Sequence, residues 1–118
     1  MSNRLFLIAA MLAVVPGVAS AHAFLDHAVP KVGSSVSGSP SVVKIWFTQP
    51  LEPAFSVIQV FDDAGIEVDK RDSHVDDHDQ TLLIVSLKDL PVGLYHVKWH
   101  VVSVDTHRTQ GGFKFTVK

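Results

Sequence analysis

The sequence predicts an all-β protein, an immunoglobulin-like Greek-key β-sandwich of about seven strands. Three observations carry this reading. Apolar and polar residues alternate over short runs, turn-forming clusters recur between those runs, and no segment sustains a 3.6-residue apolar period.

The elements follow in chain order. A first strand is expected near Ala23 to Ala28, and the Gly-, Ser- and Pro-rich stretch from Pro30 to Pro40 then reads as a connection, since too little chain precedes it to form a second domain. From Val42 to Thr48, residues Val43, Ile45 and Phe47 share one face and Val42, Lys44 and Trp46 the other, so one face turns inward. Phe55 to Asp62 is aromatic and β-branched. Asp62-Asp63-Ala64-Gly65 supplies turn chemistry after it, so Ile66 to Asp69 is expected to return as the second arm of a hairpin. Thr81 to Leu87 forms another run. After Pro91-Val92-Gly93, Leu94 to Val102 sets Tyr95, Val97, Trp99 and Val101 on one parity and His96, Lys98 and His100 on the other. Phe113, Phe115 and Val117 mark a last strand. The Cys-Trp-Cys hallmark of antibody domains is missing.

With 118 residues the chain is sized for one compact domain, and its formal charge of -2 has no basic block behind it. Nucleic acid is therefore not expected as a partner, because scattered cations cannot track a phosphate backbone. There is no cysteine, which excludes a disulfide frame, a thiolate nucleophile and an iron–sulfur cluster and leaves His, Asp, Glu and terminal groups for metal chemistry.

Residues 1–21 read as a secretory signal peptide. Arg4 supplies the positive start, Leu5 to Val15 the apolar stretch, and Ala19-Ser20-Ala21 the small residues that a signal peptidase accepts. The apolar stretch is short for a ~30 Å hydrocarbon layer and ends at Pro16-Gly17. The expectation is cleavage after Ala21 and release into the periplasm. Residues 22–118 would then form the mature domain, with His22 at its terminus. Both methionines, Met1 and Met11, leave with the signal peptide, so the exported chain would have no sulfur donor.

A terminal His22 offers its α-amine and imidazole Nδ1 to one ion. The amine must lose a proton from a pKa of about 7.7 to 8.0, so such a chelate weakens in acid. A second candidate pair is Asp105 and His107, which in extended chain project to the same side about two rises of ~3.3 Å apart. Two nitrogens from His22, one from His107 and an oxygen from Asp105 make a tetragonal N,O set, the arrangement suited to Cu(II). The His74/His78 segment, with five Asp between Asp69 and Asp79, reads as a solvated loop that could hold a second, weaker metal. His96 and His100 read as outward residues of a half-buried sheet. Ser103, Asp105 and His107 do not form a catalytic triad, because Asp lies in the middle where the triad needs His.

Five stretches together resemble the periplasmic copper resistance protein CopC family. They are His22-Ala23 followed by Pro30; Ile45-Trp46-Phe47-Thr48-Gln49-Pro50-Leu51-Glu52; Pro91 to Trp99; Val102-Ser103-Val104-Asp105-Thr106-His107; and Gly111-Gly112-Phe113-Lys114-Phe115. The resemblance implies a β-sandwich that is not an enzyme. It binds Cu(II) through His22, Asp105 and His107, handles copper in the periplasm as a monomer, and works beside a CopD-like inner-membrane protein. Some members add a Met-rich Cu(I) site, which a chain without mature methionine lacks. Some place Glu where this chain has Gln49, whose neutral amide cannot offset the charge of an ion.

Two further readings draw on the same residues. One is a small copper oxidase with chemistry like that of polysaccharide monooxygenases, which share the terminal-His chelate. The other is an immunoglobulin-like assembly module whose histidines bind nothing.

Overall fold

A computed structural model describes residues 22–118, and the expected signal peptide, residues 1–21, lies outside the described residues. Eight strands form two sheets: β1 (Leu25–Val29), β2 (Ser35–Val36), β3 (Val42–Phe47), β4 (Val57–Asp62), β5 (His74–Val75), β6 (Leu82–Ser86), β7 (Gly93–Val102) and β8 (Arg108–Val117). The first sheet runs β1-β3-β6-β5 and the second β2-β8-β7-β4. All pairings are antiparallel except β2 with β8. The chain changes sheet from β1 to β2, from β2 to β3, from β3 to β4, from β4 to β5 and from β6 to β7, as in a Greek-key sandwich.

The period-2 patterning decides what lies between the sheets. Val43, Ile45 and Phe47 of β3 and Leu83 and Val85 of β6 are buried on one side. They meet Ile58 and Val60 of β4, Tyr95, Val97, Trp99 and Val101 of β7, and Phe113, Phe115 and Val117 of β8. Each such side chain contributes about 1.5–3 kcal/mol on full burial, and this layer does for the domain what disulfides do in many exported ones. Tyr95 fixes the entry to β7: its hydroxyl donates to the Pro91 carbonyl at 2.6 Å, as in the tyrosine corner of Greek-key sandwiches. Phe47 meets the Trp99 ring edge-on at 5.0 Å.

The structure has eight strands where about seven were expected: two two-residue strands, β2 and β5, form inside segments read as loops, and the strand expected over Ile66 to Asp69 does not form. The last strand begins at Arg108, earlier than the apolar alternation suggests. The glycines at 111 and 112 lie within the ladder.

The expected hairpin around Gly65 is only half formed. Gly65 takes a positive φ of 86°, and Asp62 Oδ1 accepts from the Ala64 and Ile66 amides, both at 2.9 Å, so the turn is present. The returning chain then touches β4 through a single bridge, Phe61 to Glu67, made by two bonds, from the Asp62 amide to the Ile66 carbonyl and from the Val68 amide to the Val60 carbonyl. Beyond that point side chains replace the second arm. Asp69 Oδ1 accepts from the Val60 amide at 2.7 Å, and the Ser73 hydroxyl accepts from the Ile58 amide and donates to the Ile58 carbonyl. Short polar side chains compete with the backbone for such bonds, which frees the chain to cross to the other sheet while the β4 edge stays covered. Burial pushes the Asp69 carboxyl above the ordinary Asp range, against two backbone amides that pull it down.

A Cβ at Gly111 would come within 2.5 Å of the Trp99 ring, which is itself held against Phe47. Gly111→Ala is expected to cost about 1–3 kcal/mol by overpacking, measured as a lower thermal midpoint. An unchanged midpoint would show that the ring can yield.

Candidate metal centre

One end of the sandwich gathers the approach to β1, the end of β3 and the turn between β7 and β8. Three threonine and serine side chains order it. Thr48, just past β3, exchanges two bonds with Phe24: its Oγ1 accepts from the Phe24 amide at 3.0 Å, and its amide donates to the Phe24 carbonyl at 2.9 Å. Thr109 of β8 donates its hydroxyl to the Ala23 carbonyl at 2.6 Å, and Ala23 is fully buried. Residues 22–24 are thus held to both sheets at once. His22, though exposed, is brought to the β7–β8 turn with its ring centroid 4.7 Å from that of His107.

The β7–β8 turn is closed by two backbone bonds, from the Ser103 amide to the His107 carbonyl at 2.9 Å and from the Thr106 amide to the Ser103 carbonyl at 2.8 Å. Thr106 takes a left-handed φ of 74°. Asp105 and His107 therefore do not project from extended chain, as the strand reading expected. They meet because the turn folds one back over the other, with His107 Nδ1 3.2 Å from Asp105 Oδ1. The buried Ser103 hydroxyl donates to the same Oδ1. Asp stands between Ser and His, as the argument against a catalytic triad requires.

The Asp105 carboxyl is held below the ordinary Asp range, first by the Ser103 hydroxyl and then by the hydrogen bond and charge of His107. Its side chain is about half exposed, with 47% of its surface open, so solvent screens these effects.

The other histidines lie apart. His27 stacks on Trp46 at 4.4 Å, with its Nδ1 2.7 Å from Asp26. His96 Nε2 lies 2.9 Å from Asp63 on the outer face of β7, and His100 is exposed on that face, as expected of outward sheet residues. In the 69–79 segment His74 Nδ1 faces the Asp72 carbonyl, while Asp76 and Asp79 accept from the backbone of His78 and Thr81. Those carboxylates act as local caps. Among the described residues no three His, Asp or Glu side chains are gathered as a ready-made metal cage. The cluster at His22 has two imidazoles and one carboxylate and reaches four donors only with a terminal amine.

Sequence reasoning singled out His22, Asp105 and His107, which the fold brings near one another, and gave no sign of Thr48 and Thr109. Neither threonine lies within twenty residues of the backbone it holds, so no spacing signals it.

Fold and site together define a small all-β sandwich with a His–carboxylate cluster at one end. Residues 25–118 match the family model described as the CopC domain, and the chain belongs to the CopC family. It is 36% identical over 99 residues to Protein YobA of Escherichia coli strain K12, covering 83% of this chain and 80% of that protein. The crystal structure of CopC from Methylosinus trichosporium OB3b superposes with a TM-score of 0.78 at 35% identity, covering 82% of this chain and 94% of that one. PcoC, a methionine-rich copper resistance protein from Escherichia coli, superposes with a TM-score of 0.74 at 30% identity, covering 83% and 100%.

Ser103→Ala removes the first of the contacts that lower the Asp105 pKa. That pKa is expected to rise, followed as the carboxyl carbon shift of Asp105 in an NMR titration. No movement would assign the depression to His107.

Proposed function

We propose that this protein carries Cu(II) in the periplasm. Its signal peptide is cleaved after Ala21, and one ion is held by the His22 amine and imidazole, the His107 imidazole and the Asp105 carboxylate. The observation that carries the reading is the meeting of His22, His107 and Asp105 at 4.7 Å between rings and 3.2 Å from nitrogen to oxygen. Donors about 2.0–2.2 Å from one divalent ion and at right angles lie roughly 3 Å apart, and the ring centres of two such imidazoles roughly 4.5 Å apart. Both separations match neighbouring positions on one tetragonal ion. One ion there would be held by the His22 amine and imidazole, the His107 imidazole and the Asp105 carboxylate. The 3.2 Å contact serves as a hydrogen bond before loading and as a ligand pair after it.

Charge supports the same set. A carboxylate whose pKa is lowered by its neighbours offsets part of the ion's charge, and the threonine clamp on residues 22–24 lowers the ordering cost of a terminal ligand. Oxidation state follows from donor softness. The methionine-rich relative PcoC has sulfur to offer a cuprous ion, while residues 22–118 here contain no Met and no Cys. In this reading the protein is a monomeric carrier that exchanges copper with a membrane partner of the CopD kind. An open site at the chain terminus suits such exchange.

The deciding experiment compares residues 22–118 beginning at His22 with the same chain carrying one added Ala before His22. The addition keeps every side chain and turns the His22 amine into an amide. Cu(II) affinity is expected to fall by orders of magnitude, each ~1.4 kcal/mol being tenfold. Equal affinities would overturn the terminal chelate.

Competition against a cuprous chelator tests the oxidation state. The chain is expected to yield Cu(I) to the chelator while retaining Cu(II). Retention of Cu(I) would overturn the Cu(II)-only reading.

A further inference from the structure

Charge is divided unevenly between the two halves of the described chain. Residues 22–89 carry eleven carboxylates against Lys31, Lys44, Lys70, Arg71 and Lys88. Residues 90–118 carry Lys98, Arg108, Lys114 and Lys118 against Asp105 alone. The division becomes spatial because β7 and β8 pair side by side over their full length in the middle of one sheet. Neither strand contains an Asp or Glu. Their inward residues form the core, so the outward positions hold His96, Lys98, His100, Gln110, Gly112 and Lys114, with Arg108 exposed beside them. The carboxylates at its β4 margin are engaged: Asp63 by His96, Glu67 by Arg71, and Asp62 by the Ala64 and Ile66 amides. Asp26, Asp72, Asp76, Asp77 and Asp79 lie in or beside strands of the other sheet.

The cationic face is also edged by apolar side chains. Gly112 sits opposite Lys98 in the register and adds no side chain, and ten-residue strands extend over ~33 Å. Phe55 and Val57 are 65% and 38% exposed near its His100 end, and Val92 is 76% exposed at the start of β7. Cations spread along two ten-residue strands, with exposed apolar side chains at their rim, match the chemistry of an anionic headgroup layer.

We propose that the outer face of the β7–β8 pair docks on an anionic phospholipid surface. The Lys98, Arg108 and Lys114 charges meet headgroup phosphates, the acidic sheet points away, and Phe55 and Val92 enter the interface. Each cation near such a surface adds roughly fivefold in affinity, so three give on the order of a hundredfold over a neutral bilayer. The contact is weak and reversible, as a mobile carrier needs.

The test is cosedimentation of residues 22–118, which contain every described strand, with phosphatidylglycerol-containing vesicles and with pure phosphatidylcholine vesicles. Binding is expected to the anionic vesicles only and to vanish near 0.5 M salt, where screening is nearly complete on the scale of about 4 Å. Lys98→Gln with Lys114→Gln should weaken it about thirtyfold. Lys98→Glu with Lys114→Glu should weaken it further, with thermal midpoint and Cu(II) affinity unchanged. Lys44→Glu with Lys88→Glu makes the same change of net charge elsewhere and should retain binding. No binding to anionic vesicles would overturn the proposal. So would equal loss in the two Lys→Glu pairs, or capture by polyglutamate in place of vesicles.

Discussion

The pairing of β7 with β8 is the constraint on which the rest of the structure depends. Ten consecutive register positions, from Gly93 opposite Val117 to Val102 opposite Arg108, leave no freedom in which side chains face inward. A slip by one residue would exchange Trp99, Val101, Phe113 and Phe115 for Lys98, His100, Gly112 and Lys114 at the core. That exchange would remove much of the apolar layer, so the register is fixed by burial. The turn that closes the pair is fixed with it, and this turn carries Asp105 and His107.

Other features of the sandwich adapt to that ladder. Gly111 lies in β8 because Trp99 occupies the space where a side chain would go. The β4 edge on the far side of β7 is closed by Asp69 and Ser73 rather than by a further strand. The domain thereby accepts a buried carboxyl whose pKa is pushed up by desolvation in order to keep an edge from pairing with other chains. Thr48 and Thr109 tie the start of the described chain to both sheets, so the cluster around His22 is anchored to the sandwich. Rigid support under an exposed set of donors gives an accessible site with a defined geometry.

Much of this was legible in the sequence, and the reason is the period of 2. Val43, Ile45 and Phe47, and Tyr95, Val97, Trp99 and Val101, declare their burial by parity alone, and every one of them is buried. The outward setting of His96 and His100 follows from the same parity. The Gly65 turn was legible from its own chemistry, but the strand expected after it was not formed. Propensity says that a chain can turn back, while the side-chain bonds of Asp69 and Ser73 decide whether it stays. The two-residue strands β2 and β5 were illegible because two residues carry no period.

The sequence by itself determined the all-β class, the inward residues and the donor types available, because these depend on local alternation and on composition. It also singled out His22, Asp105 and His107 as candidates. Only the tertiary structure decided that His22 reaches His107, since the two are 85 positions apart and are joined by contacts that Thr48 and Thr109 make across the sandwich. It decided too that Asp105 and His107 meet through a left-handed turn rather than along a strand, because the ladder forces β7 to reverse within the few residues between Val102 and Arg108. Side-chain alternation is a property of one strand. The meeting of a chain terminus with a turn is a property of the assembled sheets, and no local pattern encodes it.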